Sequence, residues 1–101
     1  MAIATNNTLV RINLSRNQIS DKGATAIGMG LESNTTLQEL YMDSNKIGCC
    51  GITAIAHAME RNSTLLVMGL EGNRIRDEGA LALSRAIYQN CVVQELSLAQ
   101  N

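Results

Sequence analysis

The sequence predicts a right-handed α/β solenoid, a horseshoe segment in which strand-plus-helix units stack with parallel strands on the concave face and helices on the convex face. Three observations carry this expectation. Columns recur at a constant step of 28, as in Leu9, Leu37, Leu65 and Val93, then Ile12, Leu40, Met68 and Leu96, then Leu14, Met42, Leu70 and Leu98. The first half of each unit alternates apolar and polar residues at period two, the strand signal, while the second half spaces apolar residues at three and four, the helix signal. An apolar content of 46% is reached with no Phe, Trp or Pro and only two Tyr, which suits a core of repeated aliphatic columns. Each unit leaves an apolar edge above and below, so stability comes from stacked neighbours and not from a unit alone.

Taken in chain order, the 101 residues divide into a partial repeat at 1–8, repeats at 9–36, 37–64 and 65–92, and a partial repeat at 93–101, forming one domain. The first eight residues fit because Ala2, Ile3, Asn6 and Thr8 fall in the columns of Gly30, Leu31, Asn34 and Thr36. In the second repeat the strand is expected near Glu39 to Met42 and the helix near Cys50 to Glu60, and the other units follow by steps of 28. Ile52, Ile55 and Met59 form that helix's inward stripe, flanked by the small Ala54 and Ala58. Ala24, Ile27 and Leu31, and likewise Ala80, Leu83 and Ile87, repeat the stripe.

Polar columns have structural explanations of the same kind. Asn17, Asn45, Asn73 and Asn101 close the strand segment, where a carboxamide can both donate and accept and so satisfy backbone groups in the sharp turn. Gly23, Gly51 and Gly79 sit near the helix starts, implying close packing or a special dihedral. Asp21 and Asp77 are expected as helix N-caps; Cys49 stands in that column in the middle unit, which should weaken this helix start by about 1 kcal/mol.

The runs LQELYMDSNKI and LLVMGLEGNRI resemble the leucine-rich repeat. The 28-residue length, with a GxxAIxxxM-type second half, looks like the ribonuclease-inhibitor-like class, and DEGALALSRAI is similar to the repeats of NOD-like receptors. The resemblance covers the whole chain. It implies the horseshoe fold and no single function, since the class includes ribonuclease inhibitors, the sensor arrays of NOD-like receptors, Ran GTPase-activating proteins, tropomodulins and cytoskeletal or flagellar proteins.

Composition excludes several function classes. A net charge of −1 and the scarcity of aromatics argue against a nucleic-acid partner, which needs a basic excess or stacking platforms. The apolar stretch from Ile52 to Met59 is broken by Thr53 and His57, and the first twelve residues lack the basic start and apolar run of a signal peptide, so a cytoplasmic chain with no membrane contact is expected. Cys49, Cys50 and Cys91 with the lone His57 are too few and wrongly spaced for a metal centre, and no cofactor motif is present. A disulfide is disfavoured by geometry, leaving free thiols; the sharper alternative is a redox-sensitive Cys49–Cys50 pair, because a helix N-terminus favours thiolate. His57 shares its column with Met29 and Arg85, an outward convex position, with no Ser or Asp placed to make a triad. Asn6, Asn13, Asn34 and Asn62 head N-x-S/T triplets, but the repeat itself explains three of them.

What varies is the concave surface. Its positions are Arg11, Asn13, Ser15 and Arg16; Glu39, Tyr41, Asp43 and Ser44; Val67, Gly69, Glu71 and Gly72; then Glu95, Ser97, Ala99 and Gln100. Two arginines face an acidic strip of Glu39, Asp43, Glu71 and Glu95, with Tyr41 in the middle and a shallow dent expected at Gly69 and Gly72. A solvated face with ion pairs such as Arg11 with Glu39 is one explanation. A protein-docking surface anchored on Tyr41 is the other, since aromatics and Arg are enriched at interface hot spots. The leading functional expectation is therefore a non-enzymatic protein-interaction module and scaffold segment. The alternatives are a regulatory module like that of the Ran GTPase-activating proteins, with Arg11 or Arg16 as the acting residue, and end-to-end self-association through apolar edges at Ile3, Leu9 and Ile12 and at Val93, Leu96 and Leu98.

Overall fold

Among the described residues every strand is three residues long, and each is held by its neighbours rather than by its own length. A computed structural model describes residues 7–90 and 92–101. The order is β1 (Arg11–Asn13), α1 (Asp21–Ser33), β2 (Glu39–Tyr41), α2 (Cys49–Arg61), β3 (Val67–Gly69), α3 (Asp77–Asn90) and β4 (Glu95–Ser97). The strands form one parallel sheet in the order β1-β2-β3-β4, and the register matches Arg11 to Glu39 to Val67 to Glu95. That step of 28 is the sequence period made into a hydrogen-bonded ladder. Ile3 and the rest of 1–6, and Cys91, lie outside the described residues, as does the side chain of Asn90.

The core runs between sheet and helices. Leu40 and Met68 from the strands, Met42 and Leu70 just after them, and Ile27, Leu31, Ile52, Ile55 and Met59 from the helices are buried. Helix α2 begins at Cys49 and ends at Arg61, one residue wider at each end than the periodicity suggests, and β2 stops at Tyr41. The inward stripe departs from expectation in α3, where Ala80 and Ile87 are exposed while Leu83 and Ala86 are buried. Ile87 stands in the column of Met59, yet the two are 51% and 2% exposed. The difference is the neighbour: α3 follows and packs on the helix that carries Met59, and among the described residues no helix follows α3. Leu9 and Val10 at the opposite end are also exposed, whereas Ile12, Val93, Leu96 and Leu98 are half-buried.

Helix starts differ from the expected caps. Ser20 occupies the N-cap of α1 without a side-chain cap hydrogen bond, and Gly48, which has no side chain to cap with, occupies that of α2. Asp21 and Asp77 are instead the first helical residues, where a carboxylate favours the positive end of the helix. The Cys49 column is therefore not a cap column, and no cap is lost there. Asp21 serves the next unit: its Oδ1 accepts the Gly48 N–H at 2.6 Å. Close packing, not dihedral freedom, explains the glycine column. A Cβ on Gly51 would lie 2.9 Å from Asp21 Cα and from Ala24 Cβ, and one on Gly79 would lie 2.6 Å from Ile52 Cγ2.

Two ladders of asparagine join the units. Asn45 Oδ1 accepts from the N–H groups of Asn17 and Ile19, both at 2.9 Å, and its Nδ2 donates to the carbonyls of Leu14, Met42 and Asp43. Asn73 and Asn101 repeat the arrangement toward Ile47 and Ile75. A second ladder follows the helices, where Asn62 Nδ2 donates to Leu31 and Asn34 carbonyls and its Oδ1 accepts from Thr64 and Leu65. Asn34 and Asn62 are buried in these bonds, so neither presents its carboxamide for glycosylation.

Candidate concave-face interaction site

Alternation along β1, β2 and their neighbours turns Ile12, Leu40 and Met68 inward and leaves Arg11, Asn13, Glu39, Tyr41, Val67 and Glu95 on the concave side. Three of these form one network. The Arg11 guanidinium meets Glu39 Oε2 at 3.2 Å, and the Tyr41 hydroxyl donates to Glu39 Oε1. Glu39 is thus held on both oxygens. The Tyr41 hydroxyl first, and then Arg11, hold the Glu39 carboxyl below its ordinary range. Glu39 in turn raises Tyr41 and Arg11 above theirs.

Beyond the strand ends, the chain turns through a left-handed residue in each unit: Arg16, Ser44, Gly72 and Gln100 have φ between 56° and 65°. Only Gly72 adopts this without a Cβ penalty, a cost on the order of 1 kcal/mol elsewhere. The turns carry Ser15, Asp43 and Glu71 in adjacent positions. Ser15 Oγ accepts the Asp43 N–H at 3.1 Å, and Asp43 Oδ1 accepts the Glu71 N–H at 2.8 Å. Asn13, Ser15, Arg16, Asp43, Ser44 and Glu71 line an open polar groove of about 640 Å³. The dent expected at Gly69 is filled, since a Cβ there would lie 2.9 Å from the Asp43 carboxylate and 3.1 Å from the Tyr41 ring. Those two side chains lean over the glycine and close it.

The two charged ends of the face are unequal in their partners. Arg11, one of the two arginines available to a GTPase-activating role, is engaged by Glu39. Arg16, Glu71 and Glu95 make no ion pair among the described residues.

A family profile described as Leucine Rich repeat matches residues 5–28, 33–56 and 61–84, again spaced by 28. The chain belongs to the leucine-rich repeat family. Among solved structures it is similar to Leiomodin-1 Actin-Binding Site 2 (ABS2), with a TM-score of 0.87 and 25% identity over 96% of this chain. The chain spans 57% of the length of that structure. No curated protein sequence matches it.

In the leucine-rich repeat, the middle helix carries the remaining reactive side chains among the described residues. Cys49 is half-buried, Cys50 exposed, and both are free. Cys49 lines a second groove, of about 510 Å³, with Asp21, Gly48, Arg74, Arg76, Asp77 and Glu78. The Cys50 thiol is pushed up, chiefly by its interaction with Cys49, then by the Asp21 carboxylate, with burial and Glu78 adding to it. This opposes the thiolate that a helix N-terminus would favour. His57 is exposed on the convex face and lies 3.5 Å from Glu32. Among the described residues no three His, Cys, Asp or Glu side chains are grouped to hold a metal, and no helix is long and apolar enough to cross a membrane. The second asparagine ladder is the structural feature that sequence reasoning left unassigned, although its column of Asn34, Asn62 and Asn90 was visible.

Proposed function

We propose that this chain is a non-enzymatic protein-interaction module that holds its partner on the concave face, with Tyr41 at the centre and Arg11, Asn13, Arg16, Glu39, Asp43, Val67, Glu71 and Glu95 around it. The Arg11–Glu39–Tyr41 network carries this reading. It fixes an aromatic and a guanidinium before any partner arrives, so less side-chain ordering remains to be done on binding. The similarity to an actin-binding site in leiomodin-1 supports a protein partner and makes actin the first one to test. The 28-residue spacing supports the ribonuclease-inhibitor-like class, and the free thiols support a reducing, cytoplasmic setting.

The test is co-sedimentation with filamentous actin and fluorescence titration with monomeric actin. Tyr41→Ala is expected to weaken binding about thirtyfold, the loss typical of a hot spot, while His57→Ala on the convex face leaves it unchanged. The reverse pattern would place the interface on the helices and end the concave reading. Failure of both actin forms to bind removes actin as the partner.

A further inference from the structure

Four positions of each helix recur at the step of 28: 22, 25, 29 and 32 in α1, 50, 53, 57 and 60 in α2, and 78, 81, 85 and 88 in α3. Intervals of three and four keep each set on one helix face. That face is turned to solvent, since every one of these residues is exposed apart from the half-buried Glu60. The helix of the following unit packs on α1 and on α2 and still leaves this face open, so its exposure in α3 does not depend on a further unit. Its second and fourth positions are polar in the first two helices, Thr25 with Glu32 and Thr53 with Glu60. In α3 they are Leu81 and Tyr88, 51% and 89% exposed. Glu78 and Arg85 alternate with them, and neither has an ion pair among the described residues.

We propose that a second copy of this chain packs on this outward helix face, α3 against α3 and antiparallel, about a two-fold axis level with position 83. The spacing of 78, 81, 85 and 88 is that of the seam along which two helices pair. Two-fold symmetry makes each contact occur twice. Position 78 then opposes 88, and 81 opposes 85. Glu78 meets the Tyr88 hydroxyl of the second copy, with that copy's Arg85 in the next layer, and Leu81 lies along the aliphatic stem of Arg85. The same axis opposes Thr53 to His57 in α2 and Lys22 to Glu32 in α1, so no two like charges face each other. A parallel pairing would set Glu78 on Glu78 and Arg85 on Arg85, a repulsion that selects against it. This self-complementarity of charge is what names a second copy, and not an unrelated apolar helix, as the occupant. Three sets of four residues are fewer than the roughly 20–30 a side of a standard interface, so the dimer is reversible and weaker than about 1 μM. The inference stands independently of the concave reading.

The test is sedimentation equilibrium of the chain at low salt, from about 10 μM to about 1 mM, where a monomer–dimer equilibrium is expected. Leu81→Thr combined with Tyr88→Glu, which gives α3 the residue types of α1 and α2, should weaken association at least about tenfold. Ile87→Thr, on the exposed edge beside the face, should leave it unchanged. Glu78→Arg and Arg85→Glu should each weaken it about three- to tenfold. An equimolar mixture of those two variants should associate like the wild type, because the mixed dimer sets two bases against two acids. Circular dichroism checks that every variant is folded. A monomer at all concentrations, a dimer that outlasts the Leu81 and Tyr88 changes, a dimer lost with Ile87→Thr, or a mixture no tighter than its separate variants overturns the inference.

Discussion

Asn45→Ala isolates what the ladder contributes, because the same substitution at Asn17 removes the same atoms from the same column with few partners. Asn45 is buried and makes five hydrogen bonds, three of them to the preceding unit: from Asn17 N–H, from Ile19 N–H and to the Leu14 carbonyl. Removing it leaves two backbone donors without their acceptor and the Leu14 carbonyl without its donor. The Met42 carbonyl keeps a partner in Asn73, and the Asp43 carbonyl keeps the Arg16 N–H. With each of these three stranded, partly buried groups costing about 1–2 kcal/mol, the loss should be about 3–6 kcal/mol. That is a large part of the 5–15 kcal/mol by which a domain is ordinarily stable. Among the described residues the exposed Asn17 side chain donates to the Ser15 carbonyl alone, so Asn17→Ala should cost less than about 1 kcal/mol. Urea unfolding followed by far-UV circular dichroism, with slopes compared to confirm a common transition, measures both. Equal losses at the two positions would refute the claim that the bonds between units, and not residue type, set the cost.

Burial by neighbours predicts that Met59→Ala destabilises by about 2–5 kcal/mol and Ile87→Ala by less than about 1, measured by the same unfolding experiment. Gly51→Ala should cost about 1–3 kcal/mol in thermal melts, because the new methyl meets the backbone of Asp21, which cannot rotate away. Tyr41→Phe should raise the Glu39 carboxyl toward its ordinary value, read by carbon NMR titration, since the tyrosine hydroxyl is the larger of the two groups lowering it. A folded value below the unfolded one means the network's contribution is complete above the unfolded value and is lost as pH falls through the folded one; unchanged titration in Tyr41→Phe would assign the effect to Arg11 alone.

Periodicity reads the middle of this chain well and its margins poorly. Leu40, Met42, Ile52, Ile55 and Met59 are inside because alternation and helical spacing aim them there and a unit on each side encloses them. Ile87 has the same spacing and lies exposed, because burial in a stacked structure belongs to the neighbour as much as to the residue. Asp21 reads as a cap from its own helix, but its hydrogen bond goes to Gly48, 27 positions away, a distance that local capping rules do not reach. On the concave face, strand register made the pairing of Arg11 with Glu39 legible, since a step of 28 sets them side by side. The closing of Gly69 by Tyr41 and Asp43 was not legible, because it depends on which way two longer side chains lean.

The direction of the asparagine bonds has a consequence for how the chain is made. The turn containing Asn17 and Ile19 takes its acceptor from Asn45, and the turn containing Ile47 takes its own from Asn73. Each turn is therefore finished by a residue synthesised later, one period of 28 downstream. At about 5–20 residues per second, translation leaves every turn waiting about 1–6 s for its lock. On the ribosome the newest unit is always the open one, and a stall just before Asn45 or Asn73 holds the preceding turn unlocked for as long as the stall lasts.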